Sequence, residues 1–347
     1  MVSTRSLLLG ALALGANALP GKISTRAATK DLAASVDDAF AEAVREKRVP
    51  GIAAVALNRD GSVIYSNCWG TVDINNASSS AITSSTKMSI ASMTKAVVSV
   101  AALQLVEQDK LSLDDLVEDY LPAWKNIAVL DGFTSDGEPI LRAPKTKATI
   151  LNLFTHTTGQ GYWFLNQEAN QFSAWNAKQT NKTATPIIAN PGTGWFYGSD
   201  IDTLGNVIEA TSGLRLDDYI EYNILKPLGI KNTGFIAPEI YTHRRLANGT
   251  ITATAPAPIS PTAKPGGGGY LTSTTDDYTT FLLSLINWGT HPQSGATILK
   301  SSTIRKYVFT DLSRWPSPRV PSASEPATSP KAASPSACGT RSTRPCP

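Results

Sequence analysis

The chain has 347 residues, a net charge of +3, 41% hydrophobic and 17% charged residues. That is one large domain or two medium ones, at about 100–200 residues each; bulk disorder is excluded, and the charge is too small to mark a nucleic-acid partner. Three cysteines (Cys68, Cys338, Cys346) cannot build a disulfide framework, and His156, His243 and His291 lie apart without ligand spacing, so a metal site has no support in the sequence; no cofactor is expected either.

Residues 1–18 carry one charge, Arg5, then an apolar run from Leu7 to Leu14 and the small-residue pattern Ala16-Asn-Ala18. This reads as a secretory signal peptide, and the expected location is outside the cell. Arg5, Lys22, Arg26 and Lys30 with no acid among them also fit mitochondrial targeting, and a cytoplasmic location is the third alternative. Three sequons, at Asn76, Asn181 and Asn248, agree with export. No apolar run reaches the ~18 residues of a membrane span.

Asp31–Glu46 places Leu32, Val36, Phe40 and Ala43 on one helical face. Two apolar runs, Gly51–Leu57 and Val63–Trp69, flank Asn58-Arg-Asp-Gly61, a hairpin signal. Met93–Gln108 is nearly apolar on every side, which predicts a helix in the interior. Short helices are predicted at Thr149–Phe154, Ile201–Thr211 and Leu216–Leu225. Four glycines, Gly266–Gly269, precede Thr274-Thr-Asp-Asp277, which caps a further helix. A strand pair, a long helical middle and a return toward the sheet indicate α+β rather than a βαβ alternation. Ser313–Pro347 differs from everything before it. It holds 8 Ser and 8 Pro in 35 residues, and Val320 is its one aliphatic residue larger than Ala. A disordered tail is expected there, read either as a stalk or as a non-native extension.

Ser92-Met-Thr-Lys95 is the leading chemical candidate. At spacing i, i+3 on a helix the two side chains share a face. A serine hydroxyl becomes a nucleophile when a base takes its proton. A neutral lysine can be that base, which near pH 7 requires about 3 units below the reference value of about 10.4, or about 4 kcal/mol. Burial and a helix N-terminus both act in that direction. Ser84-Ser-Thr-Lys87 has the same spacing but lies in a polar run, and Ser92 itself could be a plain N-cap. Tyr197, in Pro191-Gly-Thr-Gly-Trp-Phe-Tyr-Gly-Ser199, could pass protons or simply pack beside Trp195 and Phe196. His156-Thr-Thr-Gly159 is a turn at a helix end, with no acidic partner supplied by spacing. Gly266–Gly269 lacks the Gly-Lys-Thr/Ser of a phosphate loop, so close backbone packing is the expectation.

Together and in this order these segments resemble the serine β-lactamase and penicillin-binding-protein superfamily. The closer resemblance is to its class-C-like esterases and lovastatin-type acyltransferases. Ser92-Met-Thr-Lys95 looks like the S-x-x-K motif. Leu111-Ser-Leu-Asp-Asp115 with Tyr120-Leu-Pro122 is similar to the stretch after the nucleophile helix. Thr149–Gly159 looks like the family's "LLTHTSG", Pro191–Ser199 like "PG…Y-x-N", and Gly266–Asp277 like its glycine-led helix start. The resemblance implies a β-lactamase/transpeptidase-like fold over residues 31–312, an antiparallel sheet flanked by helices with a helical insert. It implies a serine esterase or acyltransferase acting on a small-molecule ester or acyl thioester. Ser92 is then the nucleophile, Lys95 the base and Tyr197 the proton shuttle, with the Ser92 N–H as one oxyanion donor. Trp163, Ser199 and Gly268 are expected to meet the substrate. Ser199 stands where β-lactamases carry Asn, which disfavours the alternative of a β-lactamase or D-Ala carboxypeptidase-like hydrolase. The family's third motif, of K-T-G, H-x-G or G-x-G type, has no counterpart in Ser313–Pro347. The expectation is therefore a C-terminally truncated domain lacking its last strands. A missing oxyanion donor costs about 10²–10³ in rate, and a catalytically inactive relative is the remaining alternative.

Overall fold

The computed structural model describes residues 25–235, 240–254 and 264–312. The proposed signal peptide and the Ser/Pro-rich tail lie outside the described residues. Helix α1 (Thr25–Arg45) lies against the hairpin of β1 (Gly51–Leu57) and β2 (Val63–Gly70). Phe40 meets Trp69 edge-on at 5.2 Å. The hairpin is antiparallel from Gly51↔Gly70 to Leu57↔Val63, with a register shift after Ala56. Asn58–Gly61 makes the turn, and Gly61 takes the positive φ, +87°, that the Asp-Gly signal calls for.

The two-residue strand β3 (Met88–Ser89) leads through a 3-10 turn at Ala91–Met93 into α2 (Thr94–Glu107). Helix α2 is the centre of the molecule. Val98, Ala101, Ala102 and Leu105 are fully buried, as its all-round apolar character requires. Short α3 (Val117–Tyr120) and the hairpin of β4 (Val129–Phe133) and β5 (Pro139–Arg142) follow. Then come α4 (Ile150–Phe154) and α5 (Gln167–Lys178). A capping box opens α4, with Thr149 and Asn152 satisfying each other's backbone N–H groups.

Helix α6 (Asp200–Ser212) packs on α2 and α4, and Gly213 at φ +74° ends it. Helix α7 (Leu216–Ile220) continues through a wide π turn at Glu221–Leu225 into α8 (Lys226–Leu228). A polar hairpin, β6 (Thr242–Arg245) with β7 (Ile251–Thr254), precedes β8 (Thr272–Ser273), which pairs with β3. Helices α9 (Thr275–Ile286) and α10 (Ser301–Thr303) close the described chain. The fold is α+β as the element order predicts. Its antiparallel pairing is divided into four two-stranded ladders among the described residues. Only β1 and β2 are long apolar runs; β3 and β8 span two residues each, and β6 reads Thr-His-Arg-Arg. No helix among the described residues is long and apolar enough to cross a membrane.

Candidate active site

Ser92 sits in the 3-10 turn ahead of α2, and that turn is held from three sides. Ala91 takes φ +44°, an uncommon conformation for a residue with a β-carbon. The Thr94 hydroxyl donates to the Ala91 carbonyl at 2.6 Å and accepts from the Leu271 N–H at 3.1 Å. The Ile90 N–H donates to the Leu271 carbonyl at 3.1 Å. From α9, the Tyr278 hydroxyl donates to the Met93 carbonyl at 3.1 Å. Such over-determination is what keeps a strained turn in place. Ser92 itself is exposed.

Lys95 follows one turn later, with its Nζ 3.3 Å from Ser92 Oγ. Its other polar partners are the Tyr162 hydroxyl, at 3.4 Å, and the Gly268 carbonyl. The amine lies 4.8 Å from the centroid of the Tyr197 ring and 5.6 Å from that of Tyr162. Two tyrosines therefore flank it, one through its hydroxyl and one through its face. Burial, and next the charge of Asp202, push the Tyr162 phenol well above its ordinary range, so it is a neutral hydroxyl at working pH.

The two tyrosine segments are joined by backbone. The Tyr162 N–H donates to the Tyr197 carbonyl at 3.2 Å, and the Phe196 N–H donates to the His156 carbonyl at 2.9 Å. Gly159 adopts φ +88°, where a β-carbon would stand 2.3 Å from the Ala189 carbonyl oxygen. His156 Nδ1 lies 3.1 Å from an oxygen of Asp200, at the start of α6. Asp200 is fully buried, and its other oxygen accepts from Thr158 at 2.5 Å. The acidic partner that spacing does not supply is thus brought by the packing of the His156 turn on α6. The imidazole in turn lies 4.9 Å from the Tyr197 ring.

Close contact of the expected kind holds three of the four glycines, while a β-carbon on Gly269 would meet Ala91 at an ordinary 3.6 Å. A β-carbon on Gly267 would stand 2.3 Å from the Ile201 carbonyl oxygen, and one on Gly268 2.2 Å from Asp202 Oδ2. Gly268 reaches Lys95. Trp163 is 58% exposed and meets Phe164 edge-on, which stacks on Tyr162. Trp195, 66% exposed, stacks on Tyr197. An aromatic rim therefore extends outward from the two tyrosines that flank Lys95. Ser199 accepts from Gln160 Nε2 at 3.2 Å, and Gln160 Oε1 accepts from Thr203. The competing Ser84 donates instead to Asp276 at 2.9 Å. Tyr162, Asp200 and Asp202 are the site residues that sequence reasoning missed. All three lie inside or beside motif segments, but no local spacing distinguishes them from packing residues.

This arrangement, a serine on a strained turn with a lysine one helical turn on and tyrosines around the amine, is that of the beta-lactamase family. The chain belongs to that family, whose model matches residues 36–319, seven residues beyond Leu312. It is 30% identical over 250 residues to monacolin J acid methylbutanoyltransferase of Aspergillus terreus, an alignment covering 67% of this chain and 60% of that protein. It is 30% identical over 208 residues to lovastatin esterase of Penicillium rubens, covering 58% and 52%. Among solved structures, a variant of the simvastatin synthase LovD from Aspergillus terreus superposes with a TM-score of 0.70 at 28% identity, covering 80% of this chain and 70% of that one. The chain spans about three-fifths or less of the length of these curated relatives.

Proposed function

We propose that the chain is a serine esterase or acyltransferase working through an acyl-Ser92 ester. The observation that carries this reading is the 3.3 Å approach of Lys95 Nζ to Ser92 Oγ at the head of α2. The Ser92 O–H bond breaks as its proton passes to Lys95 Nζ, and Oγ bonds to the acyl carbonyl carbon. The tetrahedral intermediate collapses by breaking the bond to the alcohol or thiol leaving group. That group takes up the proton from Lys95, with Tyr197 as shuttle. Water or an acceptor alcohol then attacks the acyl-enzyme by the reverse proton path, releasing acid or new ester and restoring Ser92. The Ser92 N–H, at the positive end of α2, is the first oxyanion donor. The rim of Trp163, Phe164 and Trp195 gives the substrate an apolar seat, and Ser199, fixed by Gln160, gives it a polar contact. The named relatives, a transferase and an esterase, support both outcomes of the second step.

The test is acylation of the full chain by p-nitrophenyl butyrate, followed by mass spectrometry of the Ser92 peptide. A butyryl adduct that disappears in Ser92→Ala supports the reading. Turnover of a chromogenic cephalosporin in place of the ester would favour β-lactam chemistry. Ligand binding without a covalent adduct would identify a silent relative.

We further propose that the protein is exported. The residue 1–18 pattern supports this, and so does the exposure of all three sequon asparagines, Asn76, Asn181 and Asn248. Recovery of the chain from the medium, with a glycosidase-sensitive mass, would bear this out; retention inside the cell without glycans would overturn it.

A further inference from the structure

Asp202 is linked to the Ser92–Lys95 pair through Gly268. It lies in the first turn of α6, and its Oδ1 accepts the Gly268 N–H at 2.8 Å. The carbonyl of that same glycine accepts from Lys95 Nζ. Nothing larger than hydrogen fits at this junction. A β-carbon on Gly268 would stand 2.2 Å from Asp202 Oδ2 and 3.0 Å from the Tyr162 hydroxyl, and one on Gly266 would stand 2.9 Å from Asp202 Oδ1. Asp202 thus acts on two of the three polar partners of Lys95, the Gly268 peptide by contact and the Tyr162 phenol by charge.

A neutral amine has two N–H donors and one lone pair. In the neutral form that the acyl-Ser92 reading requires, the Gly268 carbonyl takes one N–H and the Tyr162 oxygen the other, and the lone pair is left facing Ser92 Oγ, 3.3 Å away. The direction of the Gly268 carbonyl therefore sets the direction of the base. We propose that Asp202 is a positioning residue for Lys95: by clamping the Gly268 peptide it fixes the carbonyl that anchors the amine, and so aims the amine at Ser92. This rests on the acyl-Ser92 reading above. Asp202 need not touch the substrate, and its effect falls on the acylation step.

Three variants of the full chain test it, read as the acylation rate with p-nitrophenyl butyrate and as KM. Asp202→Asn keeps an oxygen for the Gly268 N–H and removes the charge. Asp202→Ala removes both. Gly268→Ala drives a β-carbon against Asp202 Oδ2 and so breaks the clamp while keeping the Asp202 charge. A catalytic group misplaced by about 1 Å loses about 10²-fold. Asp202→Ala and Gly268→Ala are therefore expected to slow acylation about 10- to 100-fold, with KM little changed in Asp202→Ala, while Asp202→Asn recovers most of the loss. Thermal melts show which variants are folded. If Asp202→Ala does not fold, the other two decide. Acylation at the parent rate in Gly268→Ala, or in a folded Asp202→Ala, overturns the proposal. So does an Asp202→Asn protein that is folded but slowed about 10- to 100-fold, since charge rather than the clamp would then be at work. Lys95→Ala, run alongside, separates the two failures. Acylation that survives it removes the base assignment itself; acylation lost there but intact in Asp202→Ala removes only this proposal.

Discussion

Gly198 and Gln160 meet so closely that a β-carbon on Gly198 would stand 1.9 Å from the Gln160 carbonyl oxygen. This contact presses the Tyr197 segment onto the Tyr162 segment and leaves Lys95 between the two rings. Gly198→Ala must push backbone against backbone, with no flexible side chain to yield. Overpacking of this kind costs about 1–3 kcal/mol. We expect a lowered melting temperature together with slower acylation. A melting temperature equal to the parent's would show that the two segments can part without cost.

The two tyrosines answer different questions. Tyr197→Phe keeps the ring face beneath the amine and removes the hydroxyl, so a shuttle role predicts a loss of about 10²–10⁴ in turnover. Tyr162→Phe removes one hydrogen-bond partner of Lys95, and about a 10-fold loss is expected. Turnover of p-nitrophenyl butyrate by both variants gives the order. The reverse order would move the shuttle to Tyr162.

Asp200 is buried and holds both His156 and Thr158. Asp200→Ala strands two polar groups, at about 1–3 kcal/mol for each buried one left unmade. Urea unfolding should show the loss, with the midpoint shifted and the slope retained. An unchanged midpoint would mean that water replaces the carboxylate.

Burial holds the imidazoles of His291 and His243 below their ordinary value of 6.5. The unfolded chain then binds protons that the folded chain refuses. The stability tied to this is present above pH 6.5 and is lost as the pH falls toward and through the depressed folded values. Melting temperatures measured from about pH 7.5 down to about pH 5 should fall. His291→Gln, which removes one of the two groups, should flatten that decline; an identical slope would exclude His291 as a contributor.

What the sequence disclosed is what depends on near neighbours. Ser92 and Lys95 are three apart on a helix whose apolar character also announces its burial. The Asp60-Gly61 turn and the Thr274 cap are equally local. The hairpin of β4 and β5 was not legible, because a register shift around Asp131-Gly132 interrupts its ladder. Nor was α5, which buries one residue, Phe172, and shows no apolar stripe. Tyr162, Asp200 and Asp202 gain their meaning from partners brought to them by folding: Lys95, His156 and Gly268. Spacing along the chain carries no trace of those meetings.

One hydroxyl ties two distant stretches of chain together. Thr94 gives its proton to the Ala91 carbonyl and receives that of the Leu271 amide, 177 positions away. The turn that presents Ser92 is thus completed only when the later part of the domain has closed over α2. A chain emerging from the ribosome carries its serine long before it carries the brace for it. On the acyl-Ser92 reading proposed above, a serine without that brace is an ordinary alcohol, and its reactivity depends on the finished fold.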